Sequence, residues 1–214
     1  MSLTCLAIVL STLAASPASA PAPDRGKDGG KDSDGRSKFE AYLAGHDVPL
    51  AAELRALAKS PEDPLMAIAS DTRVEGLIRS RAVAALRLVP TKGVQSFLGK
   101  LIETKAKATD ASDRLMVRRA AVALGWMVAP GAAEKLALLF ENEDPEVRLD
   151  AAIGLGLTRA ETAATLLRRQ LAVESVPRVR DQIERQLRAL PESSPEPDKA
   201  HTPPKREQPM RTGW

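Results

Sequence analysis

The sequence contains few of the residues from which metal, redox and nucleophilic sites are built. Its 214 residues include one cysteine, Cys5, and two histidines, His46 and His201. These positions are far apart in the sequence, so they supply no cluster with metal-ligand spacing and little support for a Cys or His catalytic site. We therefore expect no metal, no cofactor and no catalytic residue.

Aromatic residues are also scarce, at 3% of the chain against 43% for all hydrophobic residues. The core must therefore be built from Ala, Leu, Val and Ile. Small side chains let neighbouring helices approach each other closely, which favours an all-α fold over a sheet-rich one. An excess of one charge is missing too, since 31 Lys and Arg oppose 28 acidic residues. This balance argues against a nucleic-acid partner, which requires a concentrated basic face.

Both ends of the chain differ in composition from the middle. Residues 1–20 resemble a secretory signal, because residues 3–13 are apolar and Ala18-Ser19-Ala20 forms a small-residue cleavage site, although no Lys or Arg precedes them. The apolar run is shorter than the ~20 residues that span a bilayer, so export to the periplasm or medium is expected rather than stable membrane insertion. Residues 21–37 are predicted to be a disordered linker, and residues 191–214, rich in Pro and charge, a disordered tail.

A repeat dominates residues 38–190. Residues 147–156 match residues 116–125 position for position, and Leu86, Leu124, Leu155 and Leu187 recur at spacings of 38, 31 and 32 residues. In the first three units a second Leu follows 12 residues later, beyond a short turn. Each unit is therefore predicted to be a first helix, a turn and a second helix, which bury their apolar stripes only by stacking on their neighbours.

The clearest unit begins with a helix start signal. Asp144 is suited to cap the helix and Pro145 to occupy its first position. Gly154 and Gly156 lie inside the same helix, where each costs about 1 kcal/mol relative to Ala. Close approach of a neighbouring helix is the expected compensation.

These residues resemble HEAT repeats, in the short form grouped with the bilin lyases. The similarity is carried by Asp144-Pro145-Glu146-Val147-Arg148, by Ala151-Ala152 and by Leu155-Gly156, and it covers residues 74–190. The period is shorter than the ~40–47 residues of full-length HEAT or armadillo units. The resemblance implies an α–α superhelix, a HEAT-like solenoid of antiparallel helix pairs.

The resemblance also implies roles for particular side chains. An Arg near the start of each first helix, here Arg148 and its counterparts Arg79 and Arg180, often forms a ladder with acidic residues near the turn. Asp144 and Asp150 are the candidate acidic partners, and ligand recognition by these Arg side chains is the alternative.

A partner is expected on the concave side, which the second helices line. The polar positions there are Gln95, Lys100, Glu134, Lys135, Arg168 and Arg169, and an ordinary solvated face explains them equally well. The sequence thus predicts an exported, non-enzymatic scaffold that binds another protein. Two alternatives stay open: an enzyme of the HEAT-like lyase type, and a structural protein anchored in the envelope by an uncleaved N-terminal segment.

Overall fold

The computed structural model describes residues 32–45 and 50–190, which fall in one compact unit. They form ten α-helices: α1 (Asp32–Gly45), α2 (Ala51–Leu57), α3 (Glu62–Ser70), α4 (Gly76–Ala85), α5 (Lys92–Lys105), α6 (Ala111–Trp126), α7 (Ala132–Ala137), α8 (Pro145–Thr158), α9 (Glu161–Val173) and α10 (Pro177–Ala189). Short 3-10 helices continue α4 (Leu86–Leu88) and α7 (Leu138–Glu141). These residues contain no strand, and the predicted all-α, HEAT-like stack is confirmed.

The helices form two rows. The first helices of the units, α4, α6, α8 and α10, contact one another in chain order. The second helices, α5, α7 and α9, form the other row, which α3 extends toward the N-terminus. The core between the rows consists of Ala, Leu, Val and Ile with few exceptions, as the composition predicts.

Helix α8 begins as its sequence predicts. Asp144 Oδ1 accepts a hydrogen bond from the Glu146 backbone N–H at 2.8 Å, and Pro145 occupies the first turn. Asp110 does the same for α6, accepting from the Asp113 N–H at 3.0 Å. This cap places the start of α6 at Ala111.

Glycines allow α6 and α8 to touch backbone to backbone. A Cβ atom added to Gly154 would lie 2.6 Å from the Ala121 carbonyl oxygen, and one added to Gly125 would lie 2.8 Å from Gly154 Cα. Both distances are shorter than any side chain tolerates, so the first helices approach closely because these positions are glycine. Gly156 differs, since a Cβ there would meet the Gln186 side chain, whose Cδ would lie 2.7 Å away.

The first helix begins earlier than the sequence suggests. Residues 32–37, assigned above to the linker, belong to α1. Arg36 explains part of the difference, because its guanidinium binds Glu40 at 2.7 Å and Asp71, beyond α3, at 2.6 Å. The linker was predicted from its lack of large apolar residues, and that criterion does not detect a helix held by ion pairs. The predicted signal (1–20), the rest of the linker, the tail (191–214), and Cys5, His46 and His201 lie outside the described residues.

Candidate functional site

Arg148 joins the two ends of a unit. Its Nη1 donates to the backbone carbonyls of Asn142 and Glu143, both at 2.9 Å, just before its own helix begins. Its Nε and Nη2 donate to the two carboxylate oxygens of Glu174 at 2.8 and 2.9 Å. This two-pronged pair lies at the end of α9, and the Glu174 side chain is only 1% exposed.

The counterparts of Arg148 bind backbone carbonyls as well. Arg180 Nη1 donates to the carbonyls of Leu171 and Glu174 at 2.8 and 2.9 Å. Arg79 Nε donates to the carbonyl of Ala69 at 3.2 Å. In each case a cation meets the carbonyl end of the preceding second helix, where the helix dipole favours positive charge.

The predicted partners Asp144 and Asp150 do not bind Arg148. Asp144 caps α8 and lies 3.3 Å from Arg114 Nε, while Asp150 accepts from Arg118 Nε at 2.6 Å. A bridge between first helices of adjacent units therefore exists, but Arg118 of α6 forms it. Burial raises the pKa of Asp150, and the bond from Arg118 opposes that effect.

Glu174 is held in its charged form by several donors. The hydrogen bonds from Arg148 lower its pKa to about 2, and the Val176 backbone N–H and the Gln170 side chain contribute further. The last two donors lie at 3.0 and 2.9 Å. Every carboxylate oxygen is thus satisfied, which is required of a charge buried in this way.

Acidification is expected to weaken the fold through Glu174. Its pKa is lower in the folded chain, about 2 against the ordinary 4.5, so it stabilises the fold above pH 4.5 and loses this effect as the pH falls toward 2. We expect the wild type to lose about 2 kcal/mol more than Glu174→Gln over this interval. Urea denaturation at a series of pH values measures the free energy of unfolding of both proteins. An equal change in that free energy with pH in the two proteins would contradict the lowered pKa of Glu174. Other carboxylates titrate in both chains and cancel in the comparison.

Three of the six predicted partner-binding residues come together. Gln95, Lys100 and Lys135 line a groove of about 470 Å³ between α5 and α7. Lys100 is exposed, and Lys135 Nζ forms an ion pair with Glu103 on the groove wall. We call this surface the α5–α7 groove.

The other three lie outside that groove. Glu134 is exposed on α7, and its Oε1 lies 3.5 Å from Thr162 Oγ1 on α9. Arg168 and Arg169 are exposed on α9. The six positions therefore follow the row of second helices but do not form a single pocket.

Trp126 occupies the repeat position that Leu88 and Leu157 hold in other units, but it is more exposed than either of them. It ends α6 and is 58% exposed, and Val128 in the following turn is 59% exposed. Val128 also adopts a φ of 46°, a left-handed conformation that is rare for a β-branched residue. Exposed Trp side chains are enriched at protein interfaces, so this turn extends the candidate surface beside the α5–α7 groove.

A second cavity lies where α3, α4, α5 and α6 meet. We call it the Arg79 pocket; its volume is about 440 Å³, and its polar lining consists of Ser70, Thr72, Arg79, Lys100, Thr104 and Lys105. Sequence reasoning missed it because Arg79 was treated as equivalent to Arg148. Lys100 belongs to both the pocket and the α5–α7 groove.

Two features are absent from the described part of the chain. Residues 32–45 and 50–190 contain no group of three or more His, Cys, Asp or Glu placed to hold a metal ion. Within the same residues, no helix combines the length and apolarity needed to cross a bilayer.

Two rows of paired helices, stacked through small residues and joined by Arg-to-carbonyl bonds, define an α-helical repeat protein. Residues 106–188 match the family model of HEAT repeats, so this part of the chain consists of HEAT repeats. The resemblance predicted over residues 74–190 is confirmed in this part, and α4 and α5 continue the same arrangement before it. No curated protein and no solved structure matches the chain significantly. HEAT repeats generally mediate protein–protein interaction.

Proposed function

We propose that this protein is an exported, non-enzymatic scaffold that binds another protein along its row of second helices. The observation that carries the proposal is the α5–α7 groove, where Gln95, Lys100 and Lys135 converge from two successive units. A partner that bridges units would bury several such positions at once. The exposed Trp126 and Val128 offer apolar contacts nearby, at the turn between α6 and α7.

Export is proposed from the sequence of residues 1–20, whose apolar run is followed by Ala18-Ser19-Ala20. A non-enzymatic role is proposed because the chain has one Cys and two widely separated His residues. The recurring Arg side chains bind backbone carbonyls, and the best-formed of them is matched by Glu174. These contacts are accounted for by the stability of the stack rather than by chemistry on a substrate.

One purification tests both parts of the proposal. The full chain with a C-terminal tag is recovered from the envelope and culture fluid of its native cells, and bound proteins and its own first residue are identified by mass spectrometry. We expect Pro21 as the first residue and a reproducible protein partner. Met1 would indicate an uncleaved anchor, and a bound chromophore without a protein would overturn the scaffold role.

A charge-reversal pair locates the surface. Lys100 and Arg168 are exposed on α5 and α9, and Lys100→Glu combined with Arg168→Glu is expected to reduce partner recovery about tenfold. Arg55→Glu with Lys59→Glu makes the same change in charge at exposed positions near α2 and is the matched control. Equal recovery with both double variants would place the interface elsewhere.

A further inference from the structure

Arg79 is buried without a counter-charge. The residue is 8% exposed, and the one hydrogen bond that its side chain forms within the described residues joins Nε to the Ala69 carbonyl. No carboxylate within residues 32–45 and 50–190 forms an ion pair with it, whereas Arg148 is matched by Glu174. A buried guanidinium is strongly destabilising unless an anion and further acceptors surround it. The charge of Arg79 is therefore met by the carbonyl end of α3 and by no anion of the described residues.

The pocket around Arg79 adds positive charge and no negative charge. Lys100 and Lys105 line it, and no Asp or Glu is among its lining residues. Lys105 Nζ lies 2.5 Å from Asp113 Oδ2, so its charge is largely neutralised. Arg79 and Lys100 remain as the two cations available to an incoming group.

The rest of the lining indicates what else that group carries. Thr72 supplies an exposed hydroxyl at the rim, while Phe97, Leu101 and Met116 form an apolar wall. A volume of about 440 Å³ suits a side chain or the end of a peptide. The lining therefore fits a small anionic head on an apolar stem better than a bare hydrated ion.

We propose that the Arg79 pocket binds an oxyanion, a carboxylate or phosphate group, that the protein partner presents. The inference rests on the proposed protein-binding function, and it deepens that function by naming the chemistry of the anchor. Arg79 supplies a planar donor fork for the oxygens, and Lys100 closes the rim as a second cation. Because Lys100 also lines the α5–α7 groove, the remainder of the partner would continue along that groove.

Thermal unfolding of the full chain in the presence of small oxyanions tests the pocket directly. The probes are inorganic phosphate and N-acetylglutamate, each compared with sodium chloride of equal ionic strength. We expect either or both to raise the Tm by about 3 °C at about 50 mM, and the more effective one identifies carboxylate or phosphate as the preferred group. Phosphate also stabilises proteins by exclusion from their surface. The rise in Tm that phosphate still causes in Arg79→Met measures this non-specific contribution.

Three variants decide the outcome. Arg79→Met should abolish the specific rise, Lys100→Gln should reduce it by about half, and Lys92→Gln, on the same helix but outside the pocket, should leave it unchanged. A rise no larger than in chloride, or one retained in Arg79→Met, overturns the proposal. If Arg79→Met does not fold by circular dichroism, Lys100→Gln decides alone, and an unchanged rise there overturns it.

The results also separate this inference from the proposed function. Capture of a partner by a chain that binds neither probe would reject the oxyanion pocket and leave protein binding intact. Specific binding of a probe by a chain that captures no partner would support the pocket and reject the scaffold role.

Discussion

Replacing Glu174 with alanine is expected to lower the free energy of unfolding by about 4 kcal/mol. The substitution removes the only carboxylate that pairs with Arg148 in the described residues. The Arg148 side chain, which is 12% exposed in the intact protein, then has no counter-charge. It also leaves the Gln170 amide and the Val176 N–H without their acceptor. Chemical denaturation followed by circular dichroism measures the change.

A glutamate on the same helix provides the control. Glu161 is exposed in the first turn of α9, and Glu161→Ala is expected to change stability by no more than about 0.5 kcal/mol. Combining Arg148→Met with Glu174→Ala should recover part of the loss, because the unpaired charge is then gone. A loss below about 1 kcal/mol in Glu174→Ala alone would show that the pair is not a structural brace.

Gly154→Ala is expected to destabilise the chain by about 3 kcal/mol, even though alanine favours helix over glycine by about 1 kcal/mol. The new methyl group would lie 2.6 Å from the Ala121 carbonyl oxygen and 3.2 Å from Leu136 Cδ2. Backbone atoms of α6 cannot move aside without separating the two helices. The loss is measured by the same denaturation experiment.

The same substitution two positions later should behave differently. Gly156→Ala would meet the side chain of Gln186 on α10, whose amide end can rotate away and whose Cβ, at 3.1 Å, has to give by only a few tenths of an ångström. The gain in helix propensity, about 1 kcal/mol, then offsets most of the disturbance. Similar losses in the two variants would mean that Gly154 acts through helix propensity rather than close approach.

The repeat, the helix starts and the close approach at Gly154 were predictable because they depend on local chemistry. An Asp directly before a Pro at the start of an apolar helical pattern, as in Asp144-Pro145, indicates a helix cap. A glycine inside a regular apolar repeat indicates that a neighbouring helix packs closely there. The pairing of Arg148 was predicted wrongly because its partner, Glu174, lies 26 residues away. Its identity depends on how α9 ends, which the repeat does not determine.

The candidate sites depend even more on contacts between residues that are distant in the sequence. Arg79, Arg148 and Arg180 occupy one sequence position, yet only the packed structure shows that Arg79 lacks a carboxylate within the described residues. Trp126 occupies the same repeat position as Leu88 and Leu157, which are at most half-exposed, yet Trp126 is itself 58% exposed. A single position can thus be structural in one unit and available for recognition in another.

Contact between the backbones of α6 and α8 bears on how the stack comes apart. Each unit makes most of its contacts with its neighbours, so α10 can detach while the Gly125–Gly154 contact at the centre persists. Separating α6 from α8 instead divides the row of first helices in two and exposes both halves at once. Amide hydrogens of α6 and α8 at this contact should therefore exchange with solvent more slowly than those of α10. Unfolding of the stack should proceed inward from its ends.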